Sequence, residues 1–257
     1  MKSTPNKSGL AAPALAQSNK TGINVTCAAH LLIEVAPYPT MDAGDLIELF
    51  WDKCYVASHV LTASDVGQPV QLRVPESFIA NGTSRFHYRV MQVGRGPAIS
   101  ASANVQIKLD CPGGQPSALC GDENQCLAPV GIPDAIRRQG VNPNQIKRGV
   151  PLTIEPYLNM AVDDEITLRW GDVRMDLPRL KSTDVGQPIQ VWIPPAIILE
   201  AGEDLRLEVT YCILDRVGNN SRWAPARTLK IGCANPSLAT GVGAHQRNHP
   251  SIYIPKS

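Results

Sequence analysis

Three residue types that can perform hydrolytic chemistry occur close together at Ser58, His59 and Asp65. A hydrolytic triad needs a nucleophile held on a tight turn and a base that a carboxylate orients. The sequence has no recognisable nucleophile elbow, and no glycine-rich phosphate loop follows a strand and opens a helix. We therefore predict that the chain is not an enzyme, that it has no catalytic residues and that it uses no cofactor.

Acidic residues near two turns have side chains that could bind calcium, because this ion prefers carboxylate oxygens. The two pairs are Asp42 with Asp45, and Asp163 with Asp164. Neither pair has enough neighbouring carboxylates for a full ligand set, so we interpret both as solvent-facing turn residues. The sequence also has no Cys-x-x-Cys motif, and its histidines are scattered. We predict no metal site.

The seven cysteines cannot all pair within one chain, because their number is odd. We predict that Cys111 and Cys233 occupy equivalent core-facing positions. Cys212 is predicted to point away from the core, and this geometry excludes a disulfide with Cys233. A bridge between Cys120 and Cys126 is an alternative that only an oxidising compartment would preserve.

An internal repeat places these residues in the chain. Pro37–Pro75 aligns without a gap with Pro156–Pro194, and 15 of the 39 positions are identical. Unrelated segments would share about two or three, given residue frequencies near one in twenty. One motif returns unchanged, as Asp65, Val66, Gly67, Gln68 and Pro69 and again as Asp184, Val185, Gly186, Gln187 and Pro188. We interpret it as a turn that sets strand register, with a recognition loop as the alternative.

Alternating apolar residues predict β-strands in both copies. The two alternating sets that open the repeat end at Trp51 and Trp170, which we interpret as core residues and not as ligand-stacking aromatics. The other positions predicted to face inward are Ile47, Leu49, Phe86, Tyr88, Val90, Val105, Ile107, Leu109, Ile166, Leu168, Leu205, Leu207, Val209, Tyr211, Ile213, Leu229 and Ile231. About seven short strands in each copy predict an all-β protein with two tandem immunoglobulin-like antiparallel β-sandwiches.

The repeat also predicts the domain organisation. The expected units are a disordered tail at 1–9, a first sandwich at 10–111, a linker at 112–126, a second sandwich at 127–236 and a flexible tail at 237–257. Pro133–Arg138 is predicted to form a short helical turn at the start of the second unit. Each unit is large enough to bury a core of its own.

Composition limits the kind of partner. The formal net charge is +1, from 24 basic and 23 acidic side chains, so we predict no nucleic-acid partner. No apolar run reaches the length of a membrane span, and we predict no transmembrane segment. Gly9–Ala16 resembles a short signal-peptide core, but its Leu-Ala-Pro element returns at Leu127–Pro129, so we expect no cleaved signal. Two locations therefore stay open, the cytoplasm and the cell exterior after export by a non-classical route.

The motif Pro-Tyr-x-x-Met-x-x-x-Asp-x-Ile-x-Leu-x-Trp, followed by Val-Gly-Gln-Pro, resembles tandem bacterial immunoglobulin-like repeats. Such repeats occur in large proteins of pseudomonads and their relatives, and the resemblance covers residues 10–111 and 127–233. It implies a non-catalytic role in binding or adhesion, with a protein or glycan partner that the sequence does not identify. The alternatives are an intracellular structural or accessory spacer, and a secreted toxin or effector that acts on a target cell.

Overall fold

The computed structural model describes residues 9–16, 22–115 and 121–232, and these form two β-sandwiches in tandem. The sandwich before residue 116 is called repeat 1, and the one after residue 120 is called repeat 2. The predicted tails, except Gly9, lie outside the described residues, as do Cys120 and Cys233.

Repeat 1 is built from two antiparallel sheets. Its elements are β1 (Ala14–Leu15), α1 (Val25–Ala28), β2 (Leu32–Val35), β3 (Leu46–Trp51), β4 (Cys54–Val60), β5 (Val70–Arg73), a 3-10 helix (Glu76–Phe78), β6 (Gly82–Met91), β7 (Ala98–Ile99) and β8 (Ala103–Ile107). The larger sheet has the order β4-β3-β6-β7, with β8 also paired to β6, and the smaller has the order β1-β2-β5.

Repeat 2 has the same plan with more helix. Its elements are α2 (Asp134–Gln139), α3 (Pro143–Arg148), β9 (Val150–Ile154), β10 (Glu165–Trp170), β11 (Val173–Asp176), β12 (Ile189–Ile193), α4 (Pro195–Ala201), β13 (Asp204–Leu214), β14 (Asn220–Trp223) and β15 (Arg227–Ile231). The larger sheet has the order β11-β10-β13-β14, with β15 also on β13, and β12 pairs with β9. The helical turn predicted at Pro133–Arg138 is confirmed by α2.

The chain alternates between the two sheets in the same order in both repeats. A hairpin in the larger sheet, β3–β4 or β10–β11, is followed by a strand of the smaller sheet, after which the chain returns to the larger one. The prediction of two tandem immunoglobulin-like antiparallel sandwiches is therefore confirmed. Each sandwich has its own apolar core, and Trp51 and Trp170 are fully buried at equivalent places in these cores.

One residue predicted to face inward does not do so. Leu205 is 69% exposed, because the pairing of β13 with β15 shifts register between Asp204 and Leu207. An irregularity of this kind interrupts the alternation of faces on which the prediction depended. Leu109 lies beyond the end of β8 and is half-buried, but it packs against the core of repeat 1 as predicted.

The predicted equivalence of Cys111 and Cys233 is wrong. Two parallel bridges occur at equivalent places, Ile23 with Ile107 and Val141 with Ile231. Ile107 therefore corresponds to Ile231, so that Cys111 follows the matched position by four residues and Cys233 by two. Cys111 is buried, but it lies after the last strand of repeat 1, at the contact with repeat 2.

Candidate functional site at the junction of the repeats

The candidate hydrolytic residues do not form a triad. His59 Nε2 lies 3.0 Å from Asp65 Oδ2. Ser58 is next to His59 in β4 and therefore points to the opposite face. Its Oγ accepts a hydrogen bond of 2.9 Å from the Tyr55 hydroxyl. The geometry provides no route for a proton from Ser58 to His59.

The repeated motif forms the same exposed turn in both repeats. Asp65 Oδ2 accepts hydrogen bonds from the Thr62 backbone N–H and hydroxyl, and Asp184 Oδ2 accepts one from the Lys181 backbone N–H. The Thr62 bonds, together with His59, lower the pKa of Asp65 to about 2. Positive φ angles occur at the two glycines of the motif, 79° at Gly67 and 76° at Gly186. The valine, glycine, glutamine and proline positions are exposed: Val66, Gly67, Gln68, Pro69, Val185, Gly186, Gln187 and Pro188.

The prediction that the acidic turn residues face solvent is wrong for two of them, because Asp45 and Asp164 are buried and bind protein groups. Asp45 Oδ2 accepts hydrogen bonds from the Tyr38 hydroxyl at 2.8 Å and from Gln92 Nε2 at 2.8 Å. Asp164 Oδ2 accepts the equivalent bond from the Tyr157 hydroxyl at 2.9 Å. Among the described residues, no group of three or more His, Cys, Asp and Glu side chains is placed to hold a metal ion.

A buried cation joins the repeats. Lys108, just after β8, extends its Nζ to 3.1 Å from Asp215 Oδ2 and 3.8 Å from Asp164 Oδ1. Its side chain is 14% exposed, and those of the two aspartates are 0% exposed. Burial raises the pKa of Asp164, and the charge of Lys108 acts in the opposite direction. The cation from repeat 1 thus offsets part of the cost of two buried carboxyl groups in repeat 2.

The loop between β13 and β14 holds this arrangement. Asp215 Oδ1 accepts hydrogen bonds from the backbone N–H groups of Val217 at 3.0 Å and Asn219 at 2.8 Å. Asn219 then bonds to repeat 1 through both atoms of its amide. Its Nδ2 donates to the Lys108 carbonyl at 2.8 Å, and its Oδ1 accepts from the Val25 N–H at 3.0 Å. One side chain therefore connects the end of β8 and the start of α1 to repeat 2.

The connecting segment is packed against both repeats. The Gly113 N–H donates to the Leu158 carbonyl at 2.7 Å, and Asn159 Nδ2 donates to the Cys111 carbonyl at 2.9 Å. Asn124 is buried, and its Nδ2 donates to the Gly113 carbonyl at 3.4 Å. Because these bonds come from separate loops, they restrict rotation of one repeat relative to the other.

The sequence did not reveal the junction. Lys108 alternates with apolar residues, a pattern that predicted a solvent-facing side chain, but the face that it occupies is covered by repeat 2. Asp215 and Asn219 flank Gly218 in a recognisable turn, which indicates a loop but not its partner. The contact joins residues about a hundred positions apart, and no local pattern encodes such a pairing.

Comparisons with known proteins found similar solved structures at low sequence identity. No protein-family model matches, and no curated protein sequence matches. The fibronectin(III)-like modules of Clostridium thermocellum CbhA are 9% identical, with 91% of this chain and 100% of that one covered and a TM-score of 0.45. A structure concerning host cell surface retention of a 1.5-MDa bacterial ice-binding adhesin is 10% identical, with 88% and 66% covered and a TM-score of 0.36.

A third similar structure is a tetra-tandem repeat from the extending region of a large adhesion protein. It is 13% identical, with 85% of this chain and 48% of that one covered and a TM-score of 0.29. The chain therefore spans about two thirds of one adhesin structure and about half of the other. No helix within the described ranges is both long enough and apolar enough to cross a membrane. On the evidence of its own strand order, the chain consists of tandem immunoglobulin-like repeats.

Proposed function

We propose that the chain is a non-catalytic, adhesion-type module that holds two sandwiches in one fixed relative orientation and presents their surfaces to a protein or glycan partner. The observation that carries this proposal is Lys108, buried between Asp164 and Asp215 of the other repeat. A flexible tether would not need a cation removed from water. Buried ion pairs contribute more to a specific arrangement than to net stability, and a fixed arrangement is what a spacer or presenting module requires.

The arrangement at Ser58, His59 and Asp65 supports the non-catalytic part of the proposal. The hydroxyl and the imidazole lie on opposite faces of one strand, and the carboxylate is engaged in a turn. The Oδ2 atoms of Asp45 and Asp164 are already engaged, because each accepts hydrogen bonds from a tyrosine hydroxyl and a backbone N–H.

Residual dipolar couplings of the full chain test the fixed orientation. We expect the couplings of both repeats to fit one alignment tensor in the native protein. In Lys108→Met they should need two tensors, because the buried carboxylates lose their cation and the contact opens. A native protein whose repeats already need separate tensors would overturn the proposal.

A further inference from the structure

A row of aromatic side chains crosses the outer face of the larger sheet in repeat 1. Tyr55, Phe50 and His87, called the aromatic row, are cross-strand neighbours on β4, β3 and β6. The rings of Phe50 and His87 are stacked with centroids 5.1 Å apart, and Tyr55 meets Phe50 edge-on at 6.2 Å. Tyr55 is 53% exposed, so solvent reaches this end of the row.

Basic side chains border the aromatic row. The Arg89 guanidinium lies 5.2 Å from the centre of the Phe50 ring and pairs with Glu48 at 2.6 Å. On the other border are Arg85 and Lys53. Neither of them forms an ion pair within the part of the chain that the structure describes. These two cations are therefore available to a ligand.

A cavity of about 410 Å³ opens at the end of the row opposite Tyr55. Lys53, Arg85, His87 and Ser102 line it, together with Asp52. Asp52 Oδ1 already accepts the Arg85 backbone N–H at 2.8 Å. Burial, together with the charges of Arg85 and Arg89, lowers the pKa of His87. The cavity thus combines two cations without ion pairs, one carboxylate, a hydroxyl and an aromatic ring, within the size range of small-ligand pockets.

The same face of repeat 2 also has a cavity, of about 500 Å³, but acidic residues line it together with its arginines. Strand register places Arg169, Arg174, Thr210 and Trp223 where repeat 1 has Phe50, Tyr55, His87 and Ile99. The guanidinium groups of Arg169 and Arg174 lie over Trp223 at 5.1 and 5.8 Å. Glu208, at the position of Arg85, pairs with Arg169 at 3.3 Å. Where repeat 1 has the unpaired cation of Arg85, repeat 2 therefore has a carboxylate that is already paired with an arginine.

We propose that the aromatic row and its cavity in repeat 1 bind an acidic saccharide, meaning a sugar ring that carries a carboxylate or a sulfate group. The Phe50 and Tyr55 rings offer apolar surface for the C–H groups of a sugar. Arg85 and Lys53 supply the positive charge for its anionic group, and charge-assisted hydrogen bonds of this kind are strong. The inference rests on the proposed function, because it names the partner of an adhesion-type module.

A peptide or a nucleic acid fits this surface less well than an acidic saccharide. An extended peptide typically binds a sheet by adding a strand to an open edge. Phe50 and His87 belong to β3 and β6, which are paired on both sides. Nucleic acid requires a larger basic footprint than two unpaired cations on a chain with a net charge of +1. This face offers side chains and no free strand edge, and a saccharide can be bound by side chains alone.

Titration calorimetry with the full chain tests the proposal. The probes are alginate oligomers, which carry carboxylates, heparin oligomers, which carry sulfates, and dextran oligomers, which are neutral. We expect heat from alginate, heparin or both, and none from dextran. Arg85→Glu, which copies the residue found in repeat 2, should weaken binding at least tenfold. Tyr55→Arg, which copies Arg174, should also weaken it.

The matched control is Arg227→Glu, an equal change of charge at an exposed strand position of repeat 2. This variant should bind as the native protein does. Equal affinity in native protein and Arg85→Glu would overturn the proposal, as would equal binding of dextran or of polyglutamate. Neither Arg85 nor Tyr55 contacts the junction. If the native protein shows one alignment tensor but binds neither alginate nor heparin, this inference alone is contradicted and the proposed function stands.

Discussion

The two repeats have equivalent apolar cores and the same exposed turn, but they differ at the junction and on the outer face of the larger sheet. Repeat 1 bonds Asp45 to the neutral Gln92. Repeat 2 places Asp215 at the position of Gln92 and depends on Lys108 from the other repeat. The comparison shows how one fold can serve two situations. A carboxylate at Asp215, where repeat 1 has the amide of Gln92, creates a requirement for a cation from the other repeat.

The loops above these residues show the same contrast. Val93-Gly94 in repeat 1 matches Val217-Gly218 in repeat 2, with positive φ at both glycines. Val93 is 95% exposed, and Val217 is 0% exposed because the end of repeat 1 covers it. A Cβ atom on Gly22 of repeat 1 would lie 2.8 Å from a Val217 methyl group. The same loop is thus a free tip in one repeat and part of an interface in the other.

The largest effect is expected for Lys108→Met. Removing the cation leaves two buried carboxyl groups with their hydrogen bonds but without a compensating charge, and breaking a buried ion pair in this way costs about 3–5 kcal/mol. The free energy of unfolding, measured in urea, should fall by this amount. Lys230→Met, the same change at an exposed strand position, is the control. Identical unfolding of the two variants would show that the junction does not couple the repeats.

Val217→Ala and Val93→Ala sharpen the comparison of the loops. Deleting two buried methyl groups at Val217 should cost about 2 kcal/mol, counting transfer and the space left behind. The same deletion at exposed Val93 should change stability by less than about 0.5 kcal/mol. Differential scanning calorimetry measures both shifts. Equal shifts would mean that the end of repeat 1 does not cover Val217 in solution.

Gly67→Ala and Gly186→Ala probe what the repeats have in common. Both glycines have positive φ, and a Cβ atom at either would meet nothing within 4 Å, so only backbone strain opposes alanine. Each variant should lose about 1 kcal/mol, equally in the two repeats. Melting temperatures of the single variants check this equality. A much larger loss in one repeat would indicate that its motif has a further contact.

The smallest effect is a dependence on acid at Asp65. Its pKa in the folded chain is about 2, below the ordinary value of 3.8. A lowered carboxyl pKa gives stability that is present above the ordinary pKa and is lost as the pH falls through about 2. Melting temperatures between pH 6 and pH 2 should therefore fall less steeply for Asp65→Asn than for the native chain. Parallel curves would contradict the role of the Thr62 and His59 hydrogen bonds.

The sandwich architecture was predictable because it depends on local periodicity. Alternation around Trp51 and Trp170 identified the central strands, and the repeat supplied a second copy that resolved the ambiguous face of the first. The short helix α3 was missed, although Asn142 and Gln145 form a capping box that is visible as a sequence pattern. Leu205 was misplaced because a strand irregularity leaves no mark in a simple alternating pattern.

The candidate site was not predictable in the same way. Lys108 has the sequence context of a solvent-facing strand residue, and only the placement of a whole neighbouring sandwich makes it buried. The aromatic row is scattered over Phe50, Tyr55 and His87, which register brings together across three strands. Phe50 is an apolar residue on the otherwise polar face of β3, and this irregularity is the one signal in the sequence for an aromatic group there.

Because of the lysine at the junction, the order of the two repeats along the chain matters for folding. Repeat 1 leaves the ribosome first and generally folds as a unit before the rest of the chain emerges. Lys108 is then already in place when the Asp215 loop is made. In a chain with the repeats in the opposite order, Gly232, which follows β15 where Lys108 follows β8, would meet the Gln92 end of repeat 1, and no preceding repeat would supply a cation to Asp164 and Asp215. Only the order found in this chain brings Lys108 to the two carboxylates, and in this order the lysine is synthesised before the Asp215 loop that it pairs with.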